Sequence, residues 1–392
     1  MSERALITSK VFKWARESAN IAEDSAAMKV GVSVNKFKEW ETGECFPTIR
    51  QAQILAKLYK RPFALFFLPE IPNDFQPLQD FRKNGSMKLS TSSLFIIREI
   101  QEKQAWISDL NRENNENVVP FVGRFSLNDS PIVVARDILN TLNINPLAYK
   151  TKKPILNWID EAESKGIFIS RTSFIHSRLK LDYRELQGFT IADQYAPFVF
   201  VNSENWDAAQ LFTLVHEFAH IWIAETGISN EIDSLIEKID DYNPIELFCN
   251  EVAANALIPE DFIRNINIKV FDNATEVYKK AKTIGVSSFA FLVRALKLNI
   301  ISLNEYKRLN EEANFEFSEF QKKEAARRAK QKQKENSGGP NYFLLQLNRN
   351  GRLFTQKVLD AFNGGHIEPT QASSLLNVKT NKFSKLEAQI YR

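Results

Sequence analysis

The stretch LFTLVHEFAHIWI, residues 211–223, holds two histidines four positions apart, with a glutamate directly after the first. The whole chain of 392 residues has only four histidines. On an α-helix, residues i and i+4 share a face, so His216 and His220 can address one metal ion. Glu217 lies roughly 100° further round, close enough to reach a water on that ion without binding it. Two imidazoles and a carboxylate in this spacing are the parts of a zinc site with a general base. The competing reading is a core helix with two hydrogen-bonded histidines. Leu214, Val215, Phe218, Ala219, Ile221 and Trp222 are uncharged, which fits a helix buried beside a cleft.

A catalytic zinc takes three protein ligands and keeps a fourth position open. The third must come from another segment, and NPIELFCNEVAANALIP, residues 243–259, offers Glu246 and Glu251. Glu246 is favoured. Asn250, four residues on, shares its helical face and can orient a ligating histidine through a hydrogen bond. Glu251 is one residue out of phase with Asn250 and reads as solvated. The bland role for Glu246 is a first-turn carboxylate that satisfies the helix dipole.

The elements that must position these residues follow from periodicity. The histidine-bearing segment and NPIELFCNEVAANALIP both read as helices, the second opening at Pro244 and stopping before Pro259. Between residues 167 and 202 the period shortens: IFISRTSF, LQGFTIA and APFVFVN read as strands. Long helical stretches precede them, including residues 90–114, and residues 273–319 read as helix after them. Residues 1–70 read as short helices, and residues 71–88, rich in Pro, Asn, Asp and Gly, as a linker. QKKEAARRAKQKQKENSGGP, residues 321–340, reads as a solvated helix end and linker. Residues 341–392 read as a small helical module.

Bulk properties bound the class. Apolar residues make up 44% and charged residues 25% of the chain, as in a globular protein. Net charge is +3, so any nucleic-acid surface must be local. Cys45 and Cys249 are far apart, which is no disulfide framework and fits a reducing cytosol. The start lacks the apolar core of a signal peptide, and PFALFFLPEIP is too short to span a bilayer. The expectation is a cytoplasmic protein with no membrane partner.

QGFTIADQYAPFVFVNSENWDAAQLFTLVHEFAH, followed by ELFCNEVAANALIP, resembles the ImmA/IrrE family of zinc metallopeptidases over roughly residues 150–265. The resemblance implies a zincin-like domain with His216, His220 and Glu246 as zinc ligands, Glu217 as the base and Asn250 as support for a ligand. It also implies a protein substrate, a DNA-binding repressor. Cys249 departs from the family pattern, where alanine is usual, and reads as a packed residue. An oxyanion donor is expected, with Tyr242 and His176 as candidates.

EDSAAMKVGVSVNKFKEWETGECFPT, residues 23–48, has a small-residue helix, a turn at Gly31 and a second helix opening at Ser33. It resembles the XRE, Cro/repressor-like helix-turn-helix class over about residues 8–68. The resemblance implies DNA contact through Ser33, Val34, Asn35, Lys36 and Lys38, since that class reads the major groove with the start of its second helix. A protein-binding module without DNA contact is the alternative. PTQASSLLNVKTNKFSKLE, residues 369–387, repeats the pattern at a constant offset. Ala26 matches Ala372, Val32 matches Val378, Asn35 matches Asn381, Lys36 matches Lys382, Phe37 matches Phe383 and Glu41 matches Glu387. Gly31 faces Asn377, and both residue types tolerate a left-handed turn.

Together these features lead us to expect a mainly helical α+β chain. Its parts are an XRE-like module over 1–70, a linker and helical connecting region over 71–150 and a zinc peptidase domain with a small β-sheet over 151–320. A charged linker over 321–340 and a helical C-terminal module over 341–392 follow. The expected function is zinc-dependent proteolysis of a regulatory protein, coupled to DNA binding. The alternative is a DNA-binding regulator or toxin–antitoxin component whose zinc domain senses or docks without cutting. Glu217 stands against that alternative, because a structural zinc site has no need of it.

Overall fold

The computed structural model describes residues 3–72, 78–80, 89–176, 179–229, 243–334 and 341–390. The chain divides into two compact units. The first comprises Met1–Pro77, Met87–Gln101 and Phe174–Lys180, and the second takes in the rest.

In the first unit, helices α1 (Ser9–Glu17), α2 (Glu23–Lys29), α3 (Val34–Thr42) and α4 (Ile49–Tyr59) follow in close succession. Local chemistry sets their ends. Ser33 accepts the N–H of Lys36 at 3.2 Å and caps α3. Thr48 and Gln51 form a reciprocal capping box at the start of α4. Gly31 joins α2 to α3 with φ +70°, a conformation that glycine adopts without steric cost. Val11, Phe12, Ala26, Phe37, Trp40, Leu55 and Tyr59 form the core. Arg16, 6% exposed, donates to both oxygens of Glu41 at 2.7 and 2.9 Å, so this buried charge is paired. Helix α5 (Thr91–Glu113) begins in this unit and ends in the second.

The second unit is built on a mixed sheet. Its strands are β1 (Gln79–Asp80), β2 (Phe168–Thr172), β5 (Gly188–Ile191), β6 (Phe198–Asn202) and β7 (Gly227–Ser229), in the order β1-β7-β5-β6-β2. β5 pairs antiparallel with β6 and β7, while β2–β6 and β1–β7 are parallel. A two-stranded ribbon, β3 (Phe174–His176) with β4 (Leu179–Lys180), belongs to the first unit. The stretch read as a linker therefore supplies a strand, β1, to the sheet. Two residues are too few for a period of two to register in sequence.

Helices α7 (Pro154–Ser164) and α8 (Asp207–Trp222) pack on this sheet, and α6 (Pro131–Thr141) and α9 (Pro244–Leu257) pack on α8. α8 crosses β5 and β6, and α9 packs on α8 and α6. Every residue from Gln210 to Trp222 is buried, so α8 is a core helix covered on all sides. Phe121 stacks on Trp222 at 4.3 Å, and the Trp222 indole donates to Asp137 at 2.7 Å. Helices α10 (Glu260–Arg264), α11 (Ala274–Ile284), α12 (Ser288–Lys297) and α13 (Leu303–Lys334) complete this part, and α13 carries the charge run to Lys334.

The tail forms α14 (Tyr342–Asn350), α15 (Arg352–Asn363), α16 (Pro369–Leu376) and α17 (Phe383–Ile390). It falls within the second unit. Ser170 of β2 donates to the Arg349 carbonyl at 2.6 Å, and buried Lys103 donates to Asn350 at 2.8 Å. The tail thus packs on the sheet strand β2. No helix among the described residues is long and apolar enough to cross a membrane.

Candidate active site

The site is made where α8, α9 and β5 meet. α9 starts cleanly: Asn243 accepts the N–H of Ile245 at 2.9 Å, and Pro244 occupies the first helical position. That start places Glu246 in the first turn and Asn250 one turn on.

The side chains of His216, His220 and Glu246 converge, with one ligand atom from each lying within 4.8 Å of the others. The two Nε2 atoms are 3.1 Å apart. Glu246 lies 3.3 Å from Nε2 of His216 and 3.2 Å from Nε2 of His220. A tetrahedral zinc with bonds of about 2.0–2.2 Å separates its ligand atoms by roughly 3.3–3.5 Å, so this spacing suits zinc. Nδ1 of His216 donates to the Asn250 carbonyl oxygen at 2.9 Å. An amide oxygen only accepts, so this bond sets the tautomer and leaves the Nε2 lone pair facing the other ligands.

Electrostatics agree with a ligand set. Burial lowers the His220 pKa, outweighing the hydrogen bond to Glu246 that raises it. Burial pushes Glu246 up, but His216 and then His220 more than offset it and bring it down to about 2. Cys249 is fully buried, and burial, with Glu246 next, pushes its thiol well up. It is a packed neutral thiol, not a ligand. Glu251 forms an ion pair with Lys297, and Arg294 donates to neighbouring Asn255 at 2.6 Å. The runner-up carboxylate is therefore engaged elsewhere.

Glu217 is fully buried and is not one of the three converging side chains. Thr190 of β5 donates to its Oε2 at 2.7 Å and also lies 3.1 Å from its backbone carbonyl. Gly188, two residues earlier on the same strand face, closes the other side. A Cβ there would sit 2.7 Å from Glu217 Oε1 and 2.7 Å from the Thr213 methyl. Sequence reasoning missed this cradle. Its one trace is the pair of small residues, Gly188 and Thr190, alternating within QGFTIA.

Of the other expected residues, Ser33, Val34, Asn35, Lys36 and Lys38 are all exposed on the start of α3, in the first unit. Lys36 pairs with Glu39 at 2.5 Å and Lys38 with Glu23 at 3.4 Å. Tyr242 and the His176 side chain lie outside the described residues.

Two imidazoles and a carboxylate around one point are a donor set that could hold a divalent metal ion, and a second carboxylate, Glu217, directly follows His216. Residues 162–296 match the family model of Peptidase M78, the IrrE N-terminal-like domain. The match covers α8, α9 and the strands β5 and β6, and supports an ImmA/IrrE-type metallopeptidase domain over that stretch. No curated protein matches the chain.

Proposed function

We propose that the chain is an intracellular zinc-dependent endopeptidase joined to a DNA-binding module, and that it cuts a DNA-binding repressor. The observation that carries the peptidase reading is the Glu217 carboxylate, buried next to the ligand set and steered by Thr190. His216, His220 and Glu246 hold the ion, with Asn250 orienting His216. Bound zinc supplies Lewis acidity toward the scissile carbonyl and toward water. Glu217 takes the proton from that water and passes it to the leaving amine. Thr190 fixes one Glu217 oxygen and so sets the direction of the other.

The zincin-like and XRE-like assignments belong to this reading. The DNA-binding part draws support from the Ser33-capped start of α3 and the exposure of Val34, Asn35, Lys36 and Lys38. Phosphates must compete there with Glu39 and Glu23. The repressor as substrate rests on the family resemblance.

A second reading has one observation in its favour. His216, Glu217, His220 and Glu246 are at most 4% exposed, as in a sealed metal centre that senses or docks without cutting. We place it second because a sealed structural zinc has no use for a carboxylate cradled by Thr190 and Gly188.

The experiment is co-expression of the chain with the candidate repressor, with and without a zinc chelator, followed by repressor length and target-gene output. The peptidase reading expects zinc-dependent shortening. An intact repressor, with output still dependent on His216 and His220, supports the second reading instead.

A further inference from the structure

The tail repeats the first module in its helix boundaries and its pattern of burial as well as in residues. α1 ends at Glu17 and α15 at Asn363, while α2 starts at Glu23 and α16 at Pro369. α3 starts at Val34, and the 3-10 turn that leads into α17 starts at Thr380. All three pairs share the offset already seen in the sequence match. The left-handed residue before the last helix is Gly31 at φ +70° in one and Asn377 at φ +53° in the other. At the same offset, Phe12 and Val358, Ala15 and Ala361, Ala26 and Ala372, Phe37 and Phe383, and Trp40 and Leu386 are all buried. A short residue match can arise from turn chemistry alone. Five buried pairs spread over three helices extend the match from the turn to the core positions.

The outward faces differ in charge, and the difference identifies a partner. Glu39 and Glu23, which pair with Lys36 and Lys38 in the first module, correspond to Lys385 and Pro369 in the tail. Lys379, Thr380, Asn381, Ser384 and Lys385 are exposed along the start of the third helix. Lys382 lies 4.3 Å from the Tyr342 ring. Residues 341–392 carry seven Lys and Arg against three Asp and Glu, in a chain whose net charge is only +3. The tail is thus a locally basic segment, like the charge run of residues 321–340 just before it, and a local excess of positive charge is what a polyanion-binding face requires.

We propose that the tail is a second helix-turn-helix that binds duplex DNA through Lys379, Asn381 and Lys385. The two lysines meet backbone phosphates, and Asn381 has the donor and acceptor pair that reads an adenine edge. The proposal takes its docking mode from the DNA-binding reading of the first module and does not depend on the peptidase reading.

The test uses the full-length chain and a labelled mixed-sequence duplex of about 30 base pairs, titrated over roughly 50–300 mM salt. Four proteins are compared in the parental background: the parent, Lys379→Gln/Asn381→Ala/Lys385→Gln, Asn35→Ala/Lys36→Ala/Lys38→Ala, and a control, Lys269→Gln/Lys279→Gln. The control removes as many charges from elsewhere in the second unit. The tail variant is expected to weaken binding tenfold or more at the lowest salt and to flatten the slope of log K against log salt by about 2. The control should match the parent, and the tail effect should persist when the first-module substitutions are also present. Lys385→Gln alone should flatten the slope by about 1, which covers the case of a triple variant that folds poorly. A tail variant that binds like the parent, or a control that loses as much, overturns the proposal while leaving the first module's reading intact. A tail effect with no first-module effect upholds the proposal and removes the first module's reading. A parent that does not bind the duplex at the lowest salt overturns both.

Discussion

Thr190 donates a 2.7 Å hydrogen bond to Oε2 of Glu217, tying strand β5 to the carboxylate that directly follows His216 in the sequence. A hydrogen bond to a charged group is worth roughly 1.5–3 kcal/mol, so its loss should matter more for catalysis than for folding. Thr190→Val keeps the shape and removes the donor. It should retain zinc and lower kcat by about 10–100-fold, whereas Thr190→Ser restores most of the rate. Parallel kcat and zinc measurements on the two variants check this, and equal rates for Val and Ser would remove the positioning role.

The ligand assignment makes a separate expectation. Glu246→Ala should lose zinc, while Glu251→Ala, which only releases Lys297, should keep it. Asn250→Ala should weaken zinc affinity by about 10–100-fold, because His216 loses the acceptor that orients it. Metal content after dialysis against a graded chelator reads all three. Zinc lost from Glu251→Ala and kept by Glu246→Ala would reverse the assignment.

The buried Glu163 of α7 predicts a pH dependence of stability. It accepts the N–H of Leu353 at 3.2 Å where α15 begins. Burial nevertheless pushes it up to about 7, from 4.5. The folded chain therefore holds this proton where the unfolded chain has lost it. The stabilisation is complete below about 4.5, declines as pH rises toward 7 and is gone above that. The difference amounts to about 3 kcal/mol. Denaturant unfolding at about pH 5 and pH 8 should show this loss in the parent and much less of it in Glu163→Gln. An unchanged pH dependence in Glu163→Gln would assign the effect to other groups.

The first module has its own test. Asn35→Ala/Lys36→Ala/Lys38→Ala should reduce binding to promoter DNA, and most strongly at low salt. All three side chains are exposed, so the melting temperature should barely move. Equal binding at every salt concentration would show that α3 does not read DNA.

The convergence of His216, His220 and Glu246 was legible because the spacing that suggested it is local. An i, i+4 pair on a helix needs no knowledge of the fold, and Glu246 with Asn250 repeats the same logic. The helices and the longer strands β2, β5 and β6 followed from period and caps. Thr190 and Gly188 were not legible, because their meeting with Glu217 depends on how β5 lies under α8. The two-residue β1 and the three-residue β7 are too short for a period to show, and Pro- and Asn-rich flanks disguised β1 as linker. The docking of the tail on β2 was hidden for a related reason. It joins residues far apart in the chain, through bonds such as Ser170 to Arg349 and through Phe354 packed on Phe168 and Phe198.

The central claim is that Glu217 acts on water while three other side chains hold zinc. Glu217→Gln keeps the size of the side chain and removes the base, and purified protein can be assayed for zinc content and repressor cleavage side by side with the parent and His216→Ala. The account predicts that Glu217→Gln carries as much zinc as the parent yet cuts at least about a hundredfold more slowly, and that His216→Ala loses both. A Glu217→Gln protein that cleaves at the parental rate with its zinc in place would contradict it.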